Sequence, residues 1–164
     1  CACAYAFGGE TAQAVLAFAV LGILTVVALM DMDTLEIYDR FPVLLFVCGI
    51  AAHILIPSLG IKSRLIGCVI VSVPMLLLAL IVPGGFGGGD IKLMFGAGFF
   101  LGAKLTVVAA FIGILLGGGF GALLLAQKKA NRKSQFAFGP FLCIGIAIAM
   151  FFGETIADWY MGLL

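Results

Sequence analysis

Long apolar runs, nearly free of charge, fill this chain and leave it few ways to fold. The first extends from about Thr11 to Met30 and stops at Asp31, and the second goes from Phe41 to about Pro57. The third covers Leu65 to Val82, just ahead of Pro83; the fourth, Ile91 to about Ala103, is short. The fifth runs from Leu105 to Ala126 and the sixth from about Phe136 to Gly153. A helix that crosses a bilayer needs about 20 predominantly apolar residues. The chain is 64% hydrophobic and 10% charged, against about 45–50% and about 25% in soluble domains. That much apolar surface requires lipid as solvent. Backbone groups in lipid must pair internally, and continuous runs without alternation favour helices over a closed barrel. The expected fold is all-α: a polytopic transmembrane bundle of six hydrophobic segments forming a single membrane-embedded domain over residues 1–164.

Connections set the topology. With six spans, the stretches 31–40, 83–92 and 127–135 share one face. The last carries Lys128, Lys129, Arg132 and Lys133, and the positive-inside rule assigns that face to the cytoplasm. Lys62 and Arg64, read as part of a connection from Ser58 to Arg64, fall on the opposite face and oppose this assignment. The fourth run, about 13 residues, rises only about 20 Å as a helix, short of a core of about 30 Å. Either it is re-entrant or the preceding glycine-rich loop, Gly84 to Gly89, dips into the membrane; the dipping loop is favoured, because irregular backbone is tolerated where it lines a wet cavity. A net charge of +1 argues against nucleic acid as a partner. Membrane lipid is a partner by necessity, and Gly113, Gly117 and Gly121, at four-residue spacing, suggest close helix packing, within the chain or in a homo-oligomer.

Acidic residues are scarce, so their positions carry information. Asp31 closes the first run, Asp33, Glu36 and Asp39 follow in the same connection, and Asp90 stands between a glycine triplet and Ile91-Lys92-Leu93. An ionisable residue beside a glycine run at membrane depth is a functional candidate. Two converging carboxylates can share a proton: one then acts as general base on water while the other polarises a carbonyl. That is aspartyl-protease chemistry, and it requires neither metal nor cofactor. Gly87 and Gly89 would let backbone approach an extended peptide.

The segments Ala28-Leu29-Met30-Asp31-Met32-Asp33 with Ile37-Tyr38-Asp39, Gly87-Gly88-Gly89-Asp90-Ile91-Lys92-Leu93 and Phe138-Gly139-Pro140-Phe141-Leu142 resemble, in order and spacing, three segments of the bacterial type IV prepilin peptidases, G-x-G-D intramembrane aspartyl proteases. The resemblance implies that Asp31 and Asp90 are the catalytic pair, with Gly87, Gly89, Lys92 and Asp39 in support. It implies cleavage of the basic leader of type IV prepilins or type II secretion pseudopilins after a glycine, at the cytoplasmic face of the bacterial inner membrane. Tyr38 stands where the family usually has proline, and Tyr38-Asp39 is similar to the Y-D pair of presenilin-type proteases, so Asp39, and less so Asp33, are rivals for the first aspartate. The N-terminal region with two C-x-x-C pairs that many members use in methylation is not found in this sequence, so methyltransferase activity is not assigned.

Two other functions fit the same composition: a transporter or channel whose acids line an ion path, and a non-catalytic assembly subunit of a secretion machine. Bland readings suffice elsewhere. His53 is expected to pack or bond to a carbonyl, Cys48, Cys68 and Cys143 to act as small apolar residues, Lys104 to snorkel, and Pro140 to open a helix.

Overall fold

The computed structural model describes residues 11–55, 59–81, 87–126 and 137–162. They form six helices: α1 (Thr11–Thr34), α2 (Arg40–Leu55), α3 (Ile61–Ile81), α4 (Gly88–Leu101), α5 (Ala103–Ala126) and α6 (Gly139–Met161). Four of them, α1, α3, α5 and α6, are long and apolar enough to cross a membrane. At 1.5 Å per residue, 24-residue α1 is about 36 Å long, whereas 14-residue α4 reaches only about 21 Å. The fold is therefore the expected helical membrane bundle, with two shorter helices, α2 and α4, among the long ones.

Short α4 sits inside. It packs against α2, α3, α5 and α6, and Leu93, Met94, Ala97 and Leu101 join the core formed with Val20, Leu24, Val27, Leu45 and Ile146. Glycine makes this possible. A Cβ on Gly96 would strike the carbonyl of Pro42 in α2, and one on Gly98 the carbonyl of Gly67 in α3. Lipid tails are as apolar as leucine, so helices gain by close backbone approach rather than by escaping solvent. The same device joins α5 to α6: a Cβ at Gly113 would lie 2.9 Å from Leu142, and one at Gly117 would meet Phe138. Those two glycines thus pack within the chain.

Several boundaries differ from the sequence reading. The first helix does not stop at Asp31; it continues to Thr34, where the Leu35 N–H bonds the Asp31 carbonyl at 3.0 Å and Leu35 takes a left-handed φ of 56°. The last helix runs on to Met161; its Glu154 and Asp158 face outward and both bond Lys104 of α5, at 2.8 and 2.7 Å. Lys104 is thus an ion-pair centre rather than a lone snorkelling cation. Lys62 and Arg64 lie in the first turn of α3 rather than in a connection, and Arg64 is only 2% exposed. It is a core residue and carries no weight as a topology signal. Gly87 to Gly89 form the start of α4; the rest of the glycine loop, the basic stretch Lys128–Lys133, Cys1 and Cys3 fall outside the described residues.

Candidate active site

Three helix ends meet at one end of the bundle: the last turn of α1, the first turn of α4 and the start of α6. Asp31, on α1, is 6% exposed, and Asp90, on α4, is 5% exposed. They are close enough for the charge of Asp31 to act on Asp90. Each has one oxygen tied to backbone. Asp31 Oδ2 accepts the Gly139 N–H at 2.9 Å, one of the amides that the N-terminus of α6 leaves without an intrahelical partner. Asp90 Oδ2 accepts the Gly87 N–H at 3.2 Å and so caps its own helix. Asp90 Oδ1 is buried with no hydrogen-bond partner among the described residues. Such a group is normally satisfied, and an exception asks for an explanation.

Glycine shapes this site as well. A Cβ on Gly139 would lie 2.7 Å from Asp31 Oδ2, and a Cβ on Gly89 would lie 2.7 Å from Ile37. The first contact fixes the Asp31 carboxylate against the backbone of α6. The second lets the 35–39 connection fold down over the start of α4. Beside them Lys92 Nζ and Asp39 Oδ1 pair at 2.6 Å, with side chains 55% and 69% exposed. This pair ties the connection to α4. Asp33 and Glu36 are exposed. The structure thus brings the buried Asp31 and Asp90 together, with the partly buried Gly89 and the exposed Gly87 beside them, and puts Asp39 and Lys92 at the outer edge. Among the described residues no group of three metal-ligating side chains gathers.

Two neighbours were not read from sequence. Gly139 enters the sequence reading only within the Phe138–Leu142 segment and with no role of its own, although a glycine directly before the proline that opens a late helix is a usable signal. Cys143, one turn further along α6, is 4% exposed and lies within electrostatic range of both carboxylates; no sequence pattern marks it.

The sequence model of the type IV leader peptidase family matches residues 18–122, more than half of the chain and inclusive of both aspartates. The chain belongs to that family. Its curated relatives carry the name prepilin leader peptidase/N-methyltransferase. The one from Bacillus subtilis (strain 168) is 28% identical over 141 residues, which cover 86% of this chain and 57% of that protein. The one from Aeromonas hydrophila is 27% identical over 144 residues, 85% of this chain and 50% of that protein. The Legionella pneumophila protein is 38% identical over 76 residues, 46% of this chain and 26% of that protein. The chain thus spans little more than half the length of these relatives at most. No solved structure matches.

Proposed function

We propose that this leader-peptidase-family chain is an aspartyl endopeptidase that removes the basic leader of prepilins or pseudopilins by cutting after a glycine, at the cytoplasmic face of the inner membrane. One observation carries the reading: two carboxylates remote in sequence, Asp31 and Asp90, are buried in one cluster within reach of each other's charge. Burying two like charges together is costly unless a proton is shared between them. The unpartnered Asp90 Oδ1 offers an acceptor or donor position for a reacting group.

In the mechanism, one carboxylate holds the shared proton and hydrogen-bonds the scissile carbonyl oxygen. The other takes a proton from water as the water oxygen attacks the carbonyl carbon. The tetrahedral intermediate then collapses: the C–N bond breaks, and the amine leaves with the proton gained from water. The Gly139 and Gly87 amides hold one oxygen of each carboxylate, so the pair enters the reaction already oriented. Gly87, exposed and without a side chain, leaves room for an extended peptide at the start of α4, whereas the space beside Gly89 is taken by Ile37. The Lys92–Asp39 pair supports the connection that borders this opening. The name that the relatives carry, prepilin leader peptidase, supports the substrate class.

The test is cleavage of a synthetic leader–helix peptide by purified protein in detergent. Asp31→Asn and Asp90→Asn should each abolish cleavage while the protein still inserts and stays monodisperse. Wild-type turnover in either variant refutes the reading. Asp39→Asn should retain turnover; loss there alongside an active Asp31→Asn would transfer the role to Asp39.

A further inference from the structure

We propose that Arg64 is a positioning residue that sets α4, and with it the Asp90 carboxylate, along the axis of the bundle; its catalytic consequence rests on the peptidase reading above. Arg64 belongs to the first turn of α3, far from the aspartates. Its Nη1 donates to the carbonyls of Phe99 and Phe100, both at 3.0 Å, and more weakly to that of Gly49 at 3.4 Å. Phe99 and Phe100 form the last turn of α4, the helix that carries Asp90 in its first turn. Nine residues separate Asp90 from Phe99, about 14 Å of helix. One guanidinium therefore holds one end of a short rigid rod, and the other end bears the carboxylate.

Helix termini explain the attachment. The last carbonyls of a helix lack intrahelical donors, and a cation is favoured there by the helix dipole. In α4 the Gly102 N–H closes on Gly98 at 2.9 Å, and Gly102 turns the chain at φ 78° into α5. Arg64 satisfies the next two carbonyls. Ser63, its neighbour, adds a second tie by accepting the Ala103 N–H at 3.3 Å. The first turn of α3 thus holds the whole α4–α5 junction.

Stability alone is a poor reason for an arginine here. It is 2% exposed, it has no carboxylate partner among the described residues, and its Nε is unpaired. Taking a charge out of water with no opposite charge beside it is costly. What an apolar residue cannot supply is direction. The glycine contacts of α4 with Pro42 and Gly67 set how near it lies to α2 and α3. The two bonds from Arg64 stop it from sliding lengthwise.

The experiment uses the full chain with nitroxide labels at the exposed Leu29 (α1) and Phe95 (α4), and compares Arg64→Met, Arg64→Gln and Arg64→Lys. Arg64→Met should insert normally, lose turnover about 100-fold with KM nearly unchanged, as a misplacement of about 1 Å does, and shift or broaden the label separation. Arg64→Lys, whose ammonium can still donate to both carbonyls, should restore most of the turnover and the separation. A folded Arg64→Met with wild-type kcat, or one that loses turnover with an unchanged label separation, overturns the proposal. Should Arg64→Met fail to insert, Arg64→Gln decides by the same two readouts. If the wild-type chain cleaves no peptide, the peptidase reading fails, and the label separation still reports whether Arg64 sets α4.

Discussion

Gly139→Ala adds a single methyl group beside the Asp31 carboxylate. The new carbon would stand 2.7 Å from Oδ2, 3.0 Å from Cγ and 3.3 Å from Cβ of Asp31. Ordinary contact begins at about 3.4 Å, so the carboxylate or the start of α6 must give way by about half an ångström or more. The Gly139–Asp31 hydrogen bond, 2.9 Å long, stretches with it. Two stability effects oppose each other. Alanine is better than glycine by about 1 kcal/mol in a helix interior and by less at the first helical position, and a hydrogen bond to a charged group contributes about 1.5–3 kcal/mol, part of which is lost. The net loss is about 1 kcal/mol, a modest fall in Tm. Activity is the sharper readout, because misplacement of a reacting group by about 1 Å can cost about 100-fold, or about 2.7 kcal/mol of barrier. Peptide cleavage should therefore fall about 10- to 100-fold in a protein that remains folded. The assay is kcat and KM on the leader–helix peptide, paired with thermal unfolding in the same detergent. A stably folded Gly139→Ala enzyme with wild-type kcat would refute the claim that the start of α6 orients Asp31.

Gly98→Leu should be far more damaging to the fold: its side chain must enter the carbonyl of Gly67, and overpacking a tight core costs about 1–3 kcal/mol or more, seen as lost monodisperse protein. Gly102→Ala forces a side chain onto φ 78° and should lower stability by about 1 kcal/mol or more, measured as Tm. Lys92→Met should change stability by less than about 1 kcal/mol, because its partner Asp39 is exposed and such pairs contribute little; a large drop in Tm would show that the pair is structural. Neutralising Lys104 should likewise shift Tm only slightly, although it removes two contacts between α5 and α6, and that small shift should shrink further in high salt.

The short fourth run and the neighbouring Asp90 were both visible in the sequence, because a break in hydropathy and an acid beside glycines are local facts. So was the family resemblance, which the match over residues 18–122 bears out. The course of α1 past Asp31 was not visible. An acid that ends an apolar run reads as a membrane edge unless its partner is known, and the partner of Asp31 is Gly139, 108 residues away. Arg64 was misread for the same reason: its three carbonyl acceptors come from α2 and α4, and nothing local announces them.

Hydropathy along the chain was enough to determine the solvent, the secondary structure and the number of helices, since burial in lipid is a cost that each segment meets by itself. Which faces touch was left to the tertiary structure, because a leucine gains almost the same from lipid as from a neighbouring helix and leaves no periodic stripe to read. Selection among those faces came from glycine-thin contacts, and from a few polar side chains whose bonding groups lie on other helices.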